Sequence, residues 1–289
     1  MLTHIHHYGF VVRNIDESLG FYRDILGLPV SVDRVIEEQG VRGVLLPIGG
    51  NSEIELLEPV SEGTGIARFL ETRGEGFHHI CFNSTDVSSD LTNEAQKGIQ
   101  MIDETPRNGL AGLIGFLHPK SNHGVLIEYA QPQEETHTLP NEDALVKAVD
   151  HVGIVVEKIE TAVQTYTEHF GFGQDDSRGG ANQALGIKNA FLKVEDGALE
   201  FIEPLTEGGP VAKFANERGE GVFLLSYSVN NLEQAIEQLR LQDVRISDPM
   251  GGVAFVHPKS TNGINMQLMM RKSRCSVRQS ISSMCYNNS

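Results

Sequence analysis

Short apolar runs, helical stripes and further short apolar runs succeed one another along most of this chain. Residues 5–12 (Ile-His-His-Tyr-Gly-Phe-Val-Val) read as a strand rich in aromatic and β-branched residues. Asp16 then caps a helix in which Leu19, Tyr22, Ile25 and Leu26 recur at helical spacing, and Gly27 ends it. Three short extended segments follow, near residues 30–37, 41–48 and 53–58, broken by Gly40, Gly49 and Gly50. The pattern predicts βαβββ. A helical connector over 64–73 leads to a strand over 77–82 and a helix capped by Asp86 that runs to Gly98. Extended segments near 99–102, 113–118 and 124–130 complete a second βαβββ unit.

The whole pattern then repeats. Residues 149–156 restate the first strand, 159–170 restate the first helix, and 198–204 restate 54–59. Equivalent positions lie 144 residues apart at His7 and His151, and 145 apart at Glu55 and Glu200. At the turn His118-Pro119-Lys120-Ser121 and its copy His257-Pro258-Lys259-Ser260 the spacing falls to 139. The second copy therefore lacks about six residues, most of the segment Thr105–Gly112, between its last helix and last strand. The expected organisation is a first domain over 1–132, a polar linker over 133–146, a second domain of the same fold over 147–270, and a disordered tail over 271–289. The fold class is α+β, with four βαβββ modules. The tail carries Arg271, Lys272, Arg274 and Arg278 and no acids, so a basic docking tail is the functional alternative.

Composition narrows the partners. The chain has 289 residues, 39% of them hydrophobic, enough for ordinary cores. Its net charge of −16 makes nucleic acid and anionic membrane poor partners. No apolar run is long enough for a transmembrane helix, and the first residues do not read as a secretory signal. The three cysteines, Cys81, Cys275 and Cys285, are too few for a disulfide scaffold. A reducing compartment such as the cytoplasm is expected.

Strand alternation selects candidate chemistry. Residues two apart share a face. His7, Glu55, His79 and Glu128 each stand among small or apolar neighbours on one face of a separate strand. If those strands line one curved sheet, two imidazoles and two carboxylates converge, a set suited to Co²⁺, Mn²⁺, Ni²⁺, Zn²⁺ or Fe²⁺. Against this, a lone strand histidine is most often a hydrogen-bonded structural residue, and an alternating glutamate usually faces solvent. His6 and His78 fall on the opposite face, off the site.

These residues carry a family resemblance. Paired βαβββ modules with His7 in the first strand, Glu55-Leu56-Leu57-Glu58-Pro59, His78-His79-Ile80 and Val125-Leu126-Ile127-Glu128 resemble the vicinal oxygen chelate superfamily. Residues 1–131 resemble its methylmalonyl-CoA epimerases, the most specific stretch being Phe116-Leu117-His118-Pro119-Lys120-Ser121 through Glu128. The resemblance implies tandem curved mixed sheets of eight strands, each able to cup a metal. It places one divalent metal on His7, Glu55, His79 and Glu128. The implied reaction is epimerisation of a methylmalonyl-CoA-like acyl-CoA at the carbon α to its thioester, through an enediolate stabilised by the metal, with Glu128 as ligand and base. Some members carry a second acid in the third strand, where this chain has Gly43, so Glu55 is the substitute second base. Arg107 and Lys120 are the local cations for the CoA moiety. In the second copy the four positions become His151, Glu200, Leu224 and Gln267, which predicts no catalysis there. That copy then serves as a built-in partner, an internal pseudo-dimer, with a homodimer of whole chains left open. The alternatives are a non-haem iron extradiol-type dioxygenase using His7, His79 and Glu128, a glyoxalase-type isomerase, and a non-catalytic small-molecule binding protein.

Overall fold

The computed structural model describes residues 2–132, 141–195 and 197–270. The first half runs β1 (Leu2–Val11), α1 (Ile15–Leu19), β2 (Val32–Ile36), β3 (Val41–Gly49), β4 (Ser52–Pro59), α2 (Gly65–Arg73), β5 (Gly76–Ser84), α3 (Val87–Gln96), β6 (Arg107–Gly109), β7 (Gly112–Leu117) and β8 (Ile127–Gln131). The second half repeats it as β9 (Ala148–Val155), α4 (Ile159–Phe170), β10 (Gly173–Asn182), β11 (Ile187–Val194), β12 (Gly197–Pro204), α5 (Pro210–Arg218), β13 (Gly221–Val229), α6 (Leu232–Leu241), β14 (Val253–Val256) and β15 (Asn265–Met270). The α+β class follows the sequence pattern, and the tandem, curved mixed sheets are as the family resemblance implies, except that the second has seven strands where eight were expected.

The first sheet has eight strands in the order β2-β3-β4-β1-β5-β8-β7-β6, and the second has seven in the order β10-β11-β12-β9-β13-β15-β14. β1 and β5 pair antiparallel at the centre, while β4 runs parallel to β1 and β8 parallel to β5. This pattern relates the two modules of each sheet by a local two-fold. The missing eighth strand is the counterpart of β6, which falls in the segment that the second copy lacks.

Alternation divides each strand between two environments. Tyr8, Phe10, Ile80, Phe82, Ile127 and Tyr129 of the first sheet join Val152, Ile154, Phe201, Leu225 and Tyr227 of the second in one continuous buried core. Phe82 stacks on Phe170 at 5.9 Å, and Tyr166 packs edge-on to Phe201. The two halves therefore bury their apolar faces against one another, as expected of an internal pseudo-dimer. The opposite set of alternating residues, including His7, Gly9 and Val11, faces the concavity of the first sheet.

Three local expectations need correction. Asn14, not Asp16, caps α1: its extended backbone lets its side chain accept from the Glu17 N–H at 2.9 Å, whereas Asp16 lies inside the helix and pairs with Arg42. That helix then widens to a π-helical stretch over Gly20–Ile25. Residues 99–102 form no strand, only a bridge from Met101 to Leu117, and the eighth strand is β6 instead. Residues 141–146 of the expected linker are not free: Ala144 and Val146 are buried, and the Leu145 N–H donates to Leu26 O. Residues 133–140 and the expected tail at 271–289 lie outside the described residues.

The repeated His-Pro-Lys turn has a structural explanation. His118 and His257 each cap a short 3₁₀ turn by accepting the N–H of Lys120 or Lys259 through Nδ1. Each turn then reaches the other half. His123 meets Glu220 at 2.9 Å, and Asn262 donates to Glu75 at 3.3 Å. Both glutamates also accept a backbone N–H from the end of their own first strand, Arg13 for Glu75 and Glu157 for Glu220. Gly124 has φ of +76°, and a Cβ there would lie 2.0 Å from Glu220 O, so only glycine lets this seam close.

Candidate metal centre

His7 on β1, Glu55 on β4, His79 on β5 and Glu128 on β8 meet inside the first sheet, and all four are buried. Register places them there. Gly9 of β1 pairs with Glu55 on one side and His79 on the other, and Cys81 beside His79 pairs with Glu128. Gly9 is indispensable to this arrangement. A Cβ on it would lie 2.1 Å from His79 Cε1 and 2.4 Å from Nδ1, so the imidazole occupies the space a side chain would need.

The donor atoms face one point. His7 Nε2 and His79 Nε2 are 3.0 Å apart. His79 Nε2 lies 2.9 Å from Glu128 Oε2 and 3.3 Å from Glu55 Oε2, and His7 Nε2 lies 3.6 and 3.5 Å from the same two atoms. Ligands about 2.1 Å from a common ion, at angles near 90–110°, are separated by about 3.0–3.5 Å. The spacing therefore fits one divalent ion. Glu55 Oε2 is buried with no well-formed hydrogen bond, its nearest polar neighbours being the two imidazole nitrogens, and coordination would satisfy it.

Charge is distributed to match. Burial by itself would lower the His79 pKa, but Glu128 and then Glu55 outweigh it and raise it to about 9. Burial pushes the Glu128 carboxyl upward, and His79 and His7 overcome this to hold it below the usual carboxylate range. A divalent cation would replace the proton on His79, so its binding releases protons.

His6 and His78, expected off the site, touch it from behind. His6 Nδ1 lies 2.9 Å from His7 Nδ1, and His78 Nδ1 lies 2.9 Å from His79 Nδ1. Burial, and then the neighbouring imidazole, lowers both outer histidines to about 3, so both are neutral. Each is placed to accept from its partner's Nδ1, which would leave that partner's Nε2 to ligate an ion once its proton is displaced. The adjacent pairs His6-His7 and His78-His79 were the signal, but two-residue alternation assigns neighbours to opposite faces and hides it.

The other expected site residues lie further out. Arg107 pairs with Asp103 at 3.3 Å and stands 5.4 Å from the ring of Phe116, whose edge contact with His79 puts Arg107 near the rim of the cup. Lys120 is exposed on the seam between the halves. Gly43 lies under the Leu110 side chain, whose Cδ2 would be 2.6 Å from an added Cβ and would have to shift for any larger residue.

The equivalent cup in the second half is filled differently. Leu224 stands over Gly153 as His79 stands over Gly9. His151 Nδ1 contacts Asp150 at 2.8 Å and its Nε2 lies 3.3 Å from Glu200, which also accepts from Asn189, while Gln267 accepts from Ser226. These polar atoms satisfy one another. Among the described residues, the second sheet gathers no comparable donor group. Metal analysis should find one divalent ion per chain in the native protein. Replacing Leu224→His together with Gln267→Glu should add a second, and failure to gain it would show that the cups differ in more than their donors.

Comparison with known proteins follows the same division. A family model described as the Glyoxalase/Bleomycin resistance protein/Dioxygenase superfamily matches residues 6–117 and 150–255. The mitochondrial methylmalonyl-CoA epimerase of Homo sapiens is 33% identical over 132 residues, 45% of this chain and 74% of that protein. The ethylmalonyl-CoA/methylmalonyl-CoA epimerase of Cereibacter sphaeroides is 31% identical over 134 residues, 45% of this chain and 99% of that protein. A mutant of 4-hydroxymandelate synthase from Streptomyces coelicolor is 17% identical with a TM-score of 0.66, covering 94% of each chain, a likeness of fold alone.

Proposed function

The chain belongs to the Glyoxalase/Bleomycin resistance protein/Dioxygenase superfamily, and from that premise we propose that its first half epimerises a methylmalonyl-CoA-like acyl-CoA. The observation that carries this reading is the convergence of two imidazoles and two carboxylates in one buried cup. His7, Glu55, His79 and Glu128 would hold the divalent ion. When bound, the ion supplies Lewis-acid stabilisation of negative charge that develops on two neighbouring oxygens of the substrate.

Epimerisation needs a proton acceptor and a proton donor on opposite faces of a planar carbon. The local two-fold between β1 and β5 supports a division of this work. It carries Glu55 on β4 onto Glu128 on β8, so the two carboxylates approach from opposite sides. In one direction Glu128 takes the α-proton from one face while Glu55, protonated at the start of that turnover, gives its proton to the other, and the reverse direction exchanges the two roles. The third strand offers Gly43 and no acid, and Glu55 is the buried carboxylate that the two-fold places opposite Glu128. A two-His-one-carboxylate dioxygenase is disfavoured, because Glu55 adds a fourth donor where oxygen would need an open position. The free, buried Cys81 is consistent with the proposed cytoplasmic location, and no helix among the described residues is long and apolar enough to cross a membrane.

The test is exchange in deuterated water. Methylmalonyl-CoA should acquire deuterium at its α-carbon and lose its optical purity with the metal-loaded protein. Glu55→Gln should keep the metal and still exchange the α-proton, but with retention of configuration. Absence of exchange with malonyl-type thioesters under each candidate ion would reject the reading, as would oxygen uptake with a catechol under Fe²⁺.

A further inference from the structure

The second half has lost the donors of the first and yet keeps the full fold, which calls for a role outside metal binding. The seam between the halves holds a cleft of about 1000 Å³. It begins beside the metal centre, at His78 and at Leu126 two residues before Glu128, and crosses to α5 of the second half. Its two walls are related copies. Phe69 and Arg73 of α2 face Phe214 and Arg218 of α5, each pair 145 residues apart. Each guanidinium stands over the phenyl ring of its own helix, at 5.8 Å for Arg73 and 5.9 Å for Arg218. Lys120 adds a cation on the first wall and Lys213 on the second.

Arg73, Lys120, Lys213 and Arg218 share this cleft with Glu75, Glu157, Glu217 and Glu220, so its charge is balanced where the chain as a whole is acidic. The chain carries −16, yet among the described residues no carboxylate lies within ion-pair distance of Arg73, Lys120 or Arg218. Lys213 has only the 3.9 Å pair with Glu217 on its own helix. Acids also line the cleft, but Glu75 and Glu220 are taken up in the seam by backbone N–H groups and by Asn262 and His123. Glu157 and Glu217 are exposed at the rim. Unpaired guanidinium groups next to half-exposed aromatic rings make a surface for an anion that also carries a flat ring system: arginine recognises phosphate oxygens through paired donors, and phenyl rings stack on a base.

We propose that this cleft binds the phosphorylated nucleotide end of the acyl-CoA whose acyl group is held at the metal centre, and that the second half supplies one of its walls. The inference rests on the acyl-CoA reading above. It gives the second half a function: Phe214, Arg218 and Lys213 grip the handle of a substrate on which the first half acts.

Calorimetric titration of the full-length, metal-loaded chain with CoA and with pantetheine tests it. Arg218→Glu and Arg73→Glu, both on exposed helix surface, should each weaken CoA binding about ten-fold or more. Neither should alter pantetheine binding, metal content or the thermal midpoint. CoA binding unchanged in Arg218→Glu overturns the proposal, and so does a native chain that binds no CoA. Inorganic diphosphate binding as tightly as CoA overturns it too, because the cleft would then recognise phosphate alone. The two readings fail separately. Arginine-dependent CoA binding with no α-proton exchange in any thioester rejects the epimerase and leaves the cleft. Exchange whose KM for the acyl-CoA ignores Arg218 rejects the cleft and leaves the epimerase.

Discussion

Glu128→Ala should lower α-proton exchange by about 10³- to 10⁴-fold, toward the upper limit for loss of a positioned general base. Three effects combine. The base itself disappears. The metal loses one of four donors. His79, whose raised pKa depends first on Glu128 among its favourable partners, loses the charge that offsets its burial. The measurement is deuterium incorporation into a methylmalonyl thioester, followed by NMR, with metal content determined on the same sample. Glu128→Gln separates the effects, since an amide keeps a donor oxygen but takes no proton. Exchange at the native rate in either variant would remove Glu128 from the chemistry.

The second large effect is expected from Gly9→Ala, the addition of one methyl group. The backbone of Gly9 lies in an ordinary extended conformation, so alanine meets no conformational obstacle there. The obstacle is the His79 ring at 2.1 Å. β1 and β5 are paired on both sides of Gly9, Tyr8 with Ile80 and Phe10 with Phe77 across an irregular step, which limits how far they can part. The ring must turn aside, which breaks its contacts with His78, Glu128 and the ion together. Affinity for the divalent ion should fall about 10- to 100-fold, the range seen when the support of a ligand is lost. Overpacking should also cost about 1–3 kcal/mol of stability. Gly153→Ala is the matched control, since the Leu224 side chain over it binds nothing. It should lower the thermal midpoint and leave metal content intact. A Gly9→Ala protein that titrates with native affinity would show that the ring is not held as described.

Much of the fold is legible in the sequence because its signals are local and repeated. Hydrophobic alternation over 5–12, 53–58 and 77–82 marks strands whose two faces meet different environments. The duplicated pattern shows that one solution is used twice. Helix α4 was readable to the residue, since its stripe is regular and Gly171 stops it in the left-handed conformation. The weaker signals failed where two candidates compete. Asn14 and Asp16 can both cap, and only backbone conformation chooses. Residues 99–102 look extended, but β7 has room for a single bridge there.

The four candidate ligands were readable as types on faces, because alternation is a property of the chain itself. Their meeting at one point was not, since it depends on pairings between strands up to about 120 residues apart. The same holds for His6 and His78. Alternation places them away from the centre, while the flat imidazole rings turn edge-on and meet through Nδ1 across the strand. The His-Pro-Lys turn was conspicuous as a repeat, yet its partner lies in the opposite half, and no local pattern records a contact across the seam.

By itself the sequence determined most of the strand and helix order, the duplication, the face on which each candidate donor stands, and the loss of two donors in the second copy. These follow from periodicity and residue type, which act over a few neighbours. The tertiary structure alone decided that the donors lie 2.9–3.6 Å apart, that Gly9 makes room for His79, and that a cleft walled by two Phe-Arg pairs opens where the two halves meet. Those features arise from register, sheet curvature and the docking of one half on the other, which exist only once distant segments are brought together.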